Sequence, residues 1–367
     1  MSRAEGLALR GVALAHPNPI VGAVLVKGNR VIGEGFHDYD RRDHAEIVAL
    51  KKAGKKAEGA TLYVTLEPCC TTGRTGPCTK AIIAAGIKRV VAAMQDPNPA
   101  VAGKGLAKLR RAGIEVRLGV REHIARPYNE DFAMWIQKGR PLVTLKTALT
   151  LDGQISARPG SATTITGVQA RRNVQKLRHE SDAVLTGIGT VLADDPLLTD
   201  RTGKPRRRKL LRVVVDSRLR LPLKSKLVRS ASGDVVVFTR QPSDSARARA
   251  LIRAGVEVVR VLGRGGRVDL RRVIHELGKR QILNLMIEAG AKLNGAALEA
   301  GIVDKMILFY TPRIMGTGGV PMAHLPSRLF PRLPPLRDVT ITPWARDFAV
   351  TGYFHDVYRH HRASRQN

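Results

Sequence analysis

The sequence predicts an α/β protein with two domains. Its 367 residues are more than one domain usually contains. Short apolar stretches, typical of buried strands, alternate with segments of helical periodicity, and this alternation occurs on each side of Gly139-Arg140-Pro141. Glycine and proline in this tripeptide favour a break in regular structure. We therefore expect one domain over residues 1–140 and a second over residues 141–367.

The first domain is predicted to be a three-layer α/β sandwich. Runs of β-branched and apolar residues predict buried strands at 20–26, 61–66, 89–93 and 115–118. Apolar residues at helical spacing predict helices at 5–15, 44–53, 78–85 and 104–112, with a closing helix near 122–138. Strands and helices in alternation favour a sheet with helices on both of its faces.

The second domain shows the same alternation and is predicted to be α/β as well. Its predicted strands lie near 142–148, 183–186, 212–216, 235–238, 256–261, 284–288 and 305–310. Its predicted helices lie near 169–178, 245–254, 270–277 and 293–300.

The chemically most reactive group of residues lies between His44 and Cys78. His44-Ala45-Glu46 precedes a segment in which Pro-Cys occurs twice, at Cys69 and at Cys78. One imidazole and two thiolates are a ligand set that suits zinc, and three protein ligands leave its fourth position for water. A nearby carboxylate, here Glu46, can transfer protons without binding the metal. The pattern predicts a zinc-dependent hydrolase of amidine-type C–N bonds, which is a deaminase.

The same residues also have structural interpretations. Three cysteines can be buried small hydrophobic residues, and His-x-Glu is common by chance. Residues two positions apart on a regular helix point to different sides, so spacing alone does not bring His44 and Glu46 together. Eight residues separate Cys69 from Cys78, which is more than in the usual Pro-Cys-x-x-Cys of deaminases. His-x-Glu followed by two Pro-Cys pairs, in this order, nevertheless favours the zinc site.

The motifs resemble those of the bifunctional deaminase-reductase family of riboflavin biosynthesis. In the first domain the resemblance is carried by His-Pro-Asn-Pro-x-Val-Gly at 16–22, Thr-Leu-Glu-Pro-Cys at 65–69 and the long gap that contains Gly-Arg-Thr. It continues through Met-Gln-Asp-Pro-Asn-Pro at 94–99, Leu-Lys-x-Ala-x-x-Leu-Asp-Gly at 145–153, Gln-Ala-Arg-Arg at 169–172 and Thr-Val-Leu-Ala-Asp-Asp-Pro at 190–196. The match covers nearly the whole chain in one order.

This resemblance implies a cytidine-deaminase-like first domain with zinc and a dihydrofolate-reductase-like second domain with NADPH. The first domain would hydrolytically deaminate 2,5-diamino-6-(5-phosphoribosylamino)pyrimidin-4(3H)-one to 5-amino-6-(5-phosphoribosylamino)uracil. The second domain would then reduce the ribosyl group to ribityl. The glycine motifs at 187–190 and 288–290 are weak by themselves, because each is more often a turn than a phosphate site.

The resemblance also implies roles for individual residues. His44, Cys69 and Cys78 would bind zinc, with Glu46 as the catalytic residue. The deaminase substrate contacts it implies are Asn18, His37 and Arg74. The cofactor contacts are Ala148, Thr164, Thr190, Asp194, Ser217, Gly290, Ala291, Lys292, Leu293, Asn294, Gly295 and Ala296. The reductase substrate contacts are Lys146, Ala162, Arg178, Asp194, Leu198, Arg201 and Glu288. Arginine suits such a site because its guanidinium binds phosphate in a bidentate fork.

Several of these assignments have alternatives. Where the family has Ser-His after the first zinc cysteine, this chain has Cys70 and Thr71, and the tryptophan beside the cofactor is replaced by Thr164. Both changes raise the question of impaired activity. His37 could be an ordinary surface histidine in a polar loop. Asp194 could belong to a helix cap or turn.

The strong positive charge has three interpretations. The net charge is +31, from 62 basic and 31 acidic residues, which suggests nucleic acid binding or the steering of phosphorylated substrates. The even scatter of Arg and Lys favours solvated faces instead, and only residues 204–209 form a dense basic run. We expect that run to be an exposed loop. Aromatic residues are 4% of the chain and none lies beside the run, so nucleic acid is disfavoured and a small phosphorylated pyrimidine is the expected partner.

Rival functions stay open at this point. They are a nucleic-acid or nucleobase deaminase with an accessory domain, a reductase with an impaired deaminase, and a non-enzymatic zinc scaffold. Three cysteines, the lack of an apolar run of membrane-spanning length and the lack of a leader-like N-terminus predict a cytoplasmic protein with no membrane partner. Homo-oligomerisation is expected from the resemblance alone.

Overall fold

The computed structural model describes residues 1–160 and 163–358. These residues form two compact units. The N-terminal unit contains Met1–Gly139 together with Pro205–Arg208 and Tyr358, and the C-terminal unit contains Arg140–Lys204 and Lys209–Val357. The prediction of two α/β domains is confirmed. Within the described ranges, no helix is both long and apolar enough to cross a bilayer.

The N-terminal unit is built on a five-stranded sheet. Its strands are β1 Gly22–Lys27, β2 Arg30–Phe36, β3 Thr61–Val64, β4 Arg89–Ala92 and β5 Glu115–Leu118, in the order β2-β1-β3-β4-β5. β1 is antiparallel to β2 and β3, whereas β3, β4 and β5 are parallel. Its helices are α1 Ser2–Ala8, α2 Ala45–Ala53, α3 Cys78–Ala84, α4 Lys104–Arg111, α5 Glu122–Ala125 and α6 Glu130–Lys138.

Glycines in β1 and β2 let helices approach both faces of this sheet. A Cβ on Gly22 would lie 2.0 Å from the carbonyl oxygen of Ala4 in α1. A Cβ on Gly35 would lie 2.5 Å from that of Ala45 in α2. Gly35 pairs with Ala23, the neighbour of Gly22, so the two glycines face opposite sides of the pleated sheet. The predicted three-layer arrangement follows from these contacts.

The structure corrects several predicted elements of this unit. β2 was not predicted, because two glycines lower the strand propensity of its sequence. β5 was predicted to be buried but is largely exposed, since it is the edge strand. The helix predicted over 5–15 ends at Ala8 and continues only as a 3-10 turn.

The predicted closing helix at 122–138 is interrupted. The 3-10 segment Arg126–Tyr128 contains Pro127, and the following residue, Asn129, has a non-helical backbone. The Asn129 side chain is buried, where it accepts a hydrogen bond from Ile20 N at 2.7 Å and donates one to Ile20 O at 2.9 Å. These bonds satisfy buried backbone groups of Ile20 that a continuous helix would leave without this amide.

The C-terminal unit is built on a nine-stranded sheet. Its strands are β6 Leu142–Thr150, β8 Ala183–Gly187, β9 Leu211–Val215, β10 Val235–Thr239, β11 Glu257–Arg260, β12 Asn284–Ile287, β13 Lys305–Thr311, β15 Arg337–Trp344 and β16 Asp347–Tyr353, and β7 Gln154–Ser156 pairs separately with β14 Val320–Pro321. The strand order is β11-β10-β9-β8-β12-β6-β13-β16-β15. Its helices are α7 Val168–Glu180, α8 Ile188–Asp194, α9 Lys226–Arg229, α10 Ala246–Arg253, α11 Leu270–Lys279 and α12 Ala291–Glu299.

The parallel strands of this sheet are buried on both faces. Val184 and Leu185, neighbours in β8, belong to two different core clusters, one on each side. All seven predicted strands are present, whereas β7, β14, β15, β16, α8 and α9 were not predicted. β15 is exposed along most of its length and carries polar residues and Pro343, so it lacks the apolar signal of a buried strand.

Candidate active sites

The three predicted zinc ligands come together in the N-terminal unit. His44 Nδ1 lies 3.2 Å from Cys78 Sγ and 3.5 Å from Cys69 Sγ, and the three donor atoms lie within 4.8 Å of one another. Ligands at about 2.0–2.3 Å from a tetrahedral zinc are separated by roughly 3.5 Å, so this nitrogen and these two sulfurs fit a zinc ion. Cys70 is not part of the group.

The backbone at His44 explains how Glu46 joins the same site. The predicted helix began at His44, but in the structure His44 is the N-cap of α2, with φ −72° and ψ 160°. The helical side-chain directions therefore do not apply to His44, while Glu46 lies in the first turn of α2 and is 3% exposed. Glu46 interacts electrostatically with His44 and Cys78. The expectation that residues two positions apart on a helix point to different sides therefore does not apply to His44 and Glu46.

Neighbouring groups shift the pKa values of the site. A hydrogen bond from the Cys78 thiol lowers the pKa of Cys69 to about 4. Cys78 N at the start of α3 also donates to Cys69 Sγ at 3.3 Å, so the helix end stabilises the Cys69 thiolate more directly than that of Cys78. The hydrogen bond with Cys69 raises the pKa of His44. Burial raises the pKa of Glu46, which favours a proton on this carboxyl group.

A second buried carboxylate holds the loop that carries Cys69. Glu67 is 3% exposed and was given no role from the sequence. Its oxygens accept hydrogen bonds at 2.8–3.2 Å from the backbone N–H groups of Asp96, Gly103, Gly105 and Leu106. Gly105 and Leu106 belong to the first turn of α4, whose free N–H groups favour an anion. The available signal in the sequence was the charged Glu67 between Leu66 and Pro68 in the motif Leu-Glu-Pro-Cys. A charged residue that is buried in such a segment needs hydrogen-bonding partners.

Asn18 and His37 form a hydrogen-bonded pair beside this cluster. His37 Nδ1 lies 3.1 Å from Asp43 O, and because a carbonyl oxygen only accepts, Nδ1 is protonated. His37 Nε2 therefore accepts from Asn18 Nδ2 at 3.0 Å. Burial lowers the pKa of His37 to about 4, so the ring is neutral near pH 7. His37 is 3% exposed and packs edge-on against the His44 ring, so the interpretation as a surface histidine is wrong.

Arg74 lies in the exposed loop between the two cysteines. Its guanidinium lies 4.1 Å from the centre of the Tyr39 ring and donates to Tyr39 O at 3.3 Å. The positive charge of Arg74 also lowers the pKa of His37, although burial has the larger effect. Thr71, in the same loop, is exposed. Arg74 thus presents a cation near the Asn18–His37 pair.

The basic run at 204–209 is a loop, as predicted, and four of its six residues are exposed. Arg206 and Arg207 are half-buried, and the Arg207 side chain, only 18% exposed, contacts the ring of Tyr39. Lys209 donates hydrogen bonds to Ser232. The Arg207 and Lys209 side chains therefore bind protein groups and are not part of a freely solvated patch.

The C-terminal unit contains a cleft of about 1110 Å³ at the carboxyl ends of its parallel strands. Such edges of α/β sheets are common ligand sites. Many of the residues predicted to contact cofactor or substrate line it: Lys146, Ala148, Arg178, Thr190, Asp194, Leu198, Ser217, Glu288, Gly290, Ala291, Lys292, Leu293 and Ala296.

A buried ion cluster forms part of this cleft. Glu288 Oε1 accepts from Lys146 Nζ at 2.9 Å, and Glu288 Oε2 accepts from Arg178 Nη2 at 3.0 Å. Burial alone would raise the pKa of Glu288, but the two cations outweigh it and lower that pKa to about 2. Burial raises the pKa of Asp194. The cleft therefore combines a carboxylate that two cations keep ionised near neutral pH with a second carboxyl group whose pKa is raised.

Four predicted contacts are not found in the lining of the cleft. Asn294 is fully buried and donates to Met322 O at 2.9 Å. A Cβ on Gly295 would lie 2.1 Å from His324 O. Both positions of α12 therefore face residues 322–324. Thr164 is exposed, and Arg201 is exposed with its backbone N bound to Gln175. The prediction for Ala162 falls outside the described residues.

Sequence reasoning missed several titratable residues of the cleft. These are Arg158, Arg220, Arg267, Glu299 and His324. Arg220 follows Ser217 in the loop after β9, and this position at a strand end was the available signal.

The cleft also fits a dinucleotide phosphate. α8 and α12 begin there at Gly187 and Gly290, and neither N-terminus has a side-chain cap, so their N–H groups are available to phosphate oxygens. A Cβ on Gly290 would lie 3.8 Å from Thr190 Oγ1, inside the same narrow part of the cleft.

Two family models match the chain. The "RibD C-terminal domain" matches residues 141–348, and the "Cytidine and deoxycytidylate deaminase zinc-binding region" matches residues 1–94.

Curated relatives match most of the chain. "Riboflavin biosynthesis protein RibD" of Aquifex aeolicus is 44% identical over 318 residues, which cover 87% of either chain. The protein of the same name from Escherichia coli is 43% identical over 341 residues, covering 89% of this chain and 90% of the relative.

Solved structures agree with these relatives. RibD of Acinetobacter baumannii (form 1) superposes with a TM-score of 0.84 at 38% identity, covering 96% of this chain and 97% of that one. A diaminohydroxyphosphoribosylaminopyrimidine deaminase/5-amino-6-(5-phosphoribosylamino)uracil reductase from Thermotoga maritima gives a TM-score of 0.83 at 37% identity, with the same coverage.

Proposed function

The chain belongs to the RibD family of riboflavin biosynthesis proteins, and from this premise we propose which substrates it takes and which residues act on them. It is a bifunctional enzyme, a zinc-dependent deaminase and an NADPH-dependent reductase. The proposed substrate is 2,5-diamino-6-(5-phosphoribosylamino)pyrimidin-4(3H)-one. The observation that carries the proposal is the convergence of His44, Cys69 and Cys78 beside the buried Glu46.

In the deaminase site, His44, Cys69 and Cys78 would hold zinc, and Glu46 transfers protons. Zinc held by three protein ligands supplies Lewis acidity and one open coordination position. Glu46 takes a proton from the attacking water and delivers it to the amino group, which leaves as ammonia. Burial raises the pKa of this carboxyl group, so it holds an accepted proton more readily than an exposed glutamate does.

Asn18, His37 and Arg74 hold the deaminase substrate. Both nitrogens of the neutral His37 are hydrogen-bonded to protein groups, so His37 holds the Asn18 amide in place and the remaining hydrogen-bonding groups of this amide face the pyrimidine. Arg74 supplies a cation for the phosphate. Thr71 replaces a family histidine and offers one hydroxyl. We propose that the fixed Asn18–His37 pair and Arg74 keep the substrate bound despite this change.

In the reductase cleft, the uncapped starts of α8 and α12 would hold the phosphates of the cofactor. When bound, NADPH would supply the hydride for the ribosyl carbon C1. Asp194, whose pKa is raised by burial, donates a proton to the ring oxygen as the C–O bond breaks. Lys146 and Arg178 bind Glu288 and place positive charge beside the sugar phosphate.

The remaining assignments follow from these sites. Residues 1–140, with the segment Pro205–Arg208, carry deamination, and the rest of 141–367 carries reduction. The partner is a small phosphorylated pyrimidine, without nucleic acid or membrane. We place the enzyme in the cytoplasm, where a reducing environment preserves the zinc thiolates.

The test is the mass of the product formed from the proposed substrate by zinc-loaded enzyme, first without and then with NADPH. We expect replacement of one amino group by oxygen in the first step and a gain of two hydrogens in the second. No deamination by a folded, zinc-loaded protein would contradict the proposal. Deamination of single-stranded nucleic acid under the same conditions would favour the rival function.

We also propose that the enzyme is a homo-oligomer that associates through β15. Val339 and Ile341 on this outer strand are 51% and 68% exposed, and Phe330 nearby in sequence is 83% exposed. Exposed apolar side chains grouped on an edge strand favour association. Replacing Ile341 by Lys should shift the mass measured by light scattering toward the monomer. A monomeric wild-type protein would contradict this proposal.

A further inference from the structure

The segment Pro205–Arg208 folds as part of the N-terminal unit, although 65 residues of sequence separate it from Gly139. It belongs to the basic run that composition alone assigns to solvent. Within this segment, Arg207 contacts the loops around Asn18 and His37.

Arg207 binds two loops of the N-terminal unit at once. Its backbone N donates to Ala13 O at 2.9 Å and its Nη1 donates to His16 O at 3.0 Å, both in the loop that leads to Asn18. Its Nε donates to Asp40 Oδ1 at 2.9 Å, and its guanidinium lies 3.8 Å from the centre of the Tyr39 ring.

These two loops carry the pair that is proposed to hold the deaminase substrate. Asn18 follows His16 by two residues, and His37 precedes Tyr39 by two. The pair itself is joined by the 3.0 Å hydrogen bond between Asn18 Nδ2 and His37 Nε2. A displacement of either loop would therefore break or weaken this hydrogen bond and move the Asn18 amide that is proposed to face the substrate.

We infer that Arg207 is a positioning residue of the deaminase site. It braces the Asn18 and His37 loops, and it holds the Tyr39 ring against which Arg74 also packs. This inference rests on the proposed deaminase function and gives one arginine of the basic run a role in it. Arginine is required here, since a planar guanidinium donates in two directions and stacks on a ring at the same time.

The alternative is that Arg207 binds the substrate phosphate itself. Two of its nitrogens are already bound to protein acceptors, and its side chain is 18% exposed. Arg74 lies over the same ring and is exposed, with a single backbone acceptor among the described contacts. The geometry therefore assigns the direct phosphate contact to Arg74 and the bracing to Arg207.

The test compares Arg207→Ala with Lys204→Ala, a control that removes one positive charge from an exposed side chain of the same run. We expect Arg207→Ala to raise the deaminase KM about tenfold or more, with a smaller change in kcat. Zinc content and the kinetics of the reductase step should stay unchanged. Arg207→Lys should not restore the KM, because a lysine keeps the charge but cannot make the forked contacts.

Direct binding makes the test independent of turnover. Substrate affinity is measured by calorimetry in a Glu46→Gln background, with and without Arg207→Ala. Should Arg207→Ala fail to fold, Asp40→Ala removes one acceptor of Arg207 from a residue that is 68% exposed, and a severalfold loss of affinity is expected.

The outcomes separate this inference from the proposed function. Bracing is supported if Arg207→Ala loses affinity, Lys204→Ala does not, and Arg207→Lys fails to restore it. Equal affinity in Arg207→Ala and Lys204→Ala, or full rescue by Arg207→Lys, overturns it. If the Glu46→Gln protein binds the substrate but the wild type does not turn it over, only the proposed function is contradicted. If the Glu46→Gln protein does not bind the substrate, the inference is overturned.

Discussion

Replacing Glu46 by Gln is expected to lower the rate of deamination by about a thousandfold or more while zinc remains bound. Glu46 lies beside the three metal ligands but is not one of them, and burial raises the pKa of its carboxyl group. Glutamine keeps the size and buried position but can neither accept the proton of the attacking water nor return it to the leaving amine. The measurement is the deamination rate together with the zinc content by elemental analysis.

The control for this prediction is Glu58→Gln, which changes an exposed carboxylate of the same unit. It should leave deamination unchanged. The Glu46→Gln protein should still reduce deaminated substrate supplied from outside. If Glu46→Gln retained deamination within tenfold of the wild type, the assigned proton transfer would be wrong. Loss of zinc would instead indicate a structural role in the metal site.

Replacing Lys146 by Met should lower kcat/KM of the reductase step by about a hundredfold or more. The Lys146 ammonium is buried in the cleft, 2.9 Å from Glu288, and its side chain is 8% exposed. Methionine fills a similar volume but removes a positive charge that a phosphorylated sugar and the Glu288 carboxylate both face. NADPH oxidation in the presence of deaminated substrate measures the effect.

The matched control is Lys176→Met on α7, whose side chain is 65% exposed and pairs with Glu180 on the surface. It should reduce substrate at the wild-type rate. Deamination by Lys146→Met should be unaffected, and its affinity for NADPH, followed by fluorescence, should change little. Weak NADPH binding with normal turnover at saturation would show that Lys146 serves the cofactor instead of the sugar.

The sequence was sufficient for the fold class and for the identity of the metal ligands. Most strands that lie away from the sheet edges are short runs of apolar and β-branched residues, a composition that is typical of buried strands. The exceptions had physical reasons. β2 contains glycines needed for the approach of α2, and β15 is an exposed edge strand, so neither has the composition of a buried strand.

The residue types of the zinc site were predictable, but its geometry was not. His44 could join Glu46 only because it caps α2 with an extended backbone, a feature that spacing does not reveal. Likewise, α12 was predicted to present seven successive residues to the cofactor. Helical geometry allows only some of them to face one side, so Asn294 and Gly295 pack against residues 322–324 instead.

By itself, the sequence determined the fold class, most of the buried strands and which chemical groups are available, because propensity and reactivity are local properties of residues. Only the tertiary structure decided which of these groups meet. It buried His37 and set its tautomer, paired Lys146 with Glu288 across 142 positions, and brought Arg207 to a site that begins at Asn18. Contacts between residues so distant in the chain depend on the packing of whole elements, and no pattern within a single segment records them.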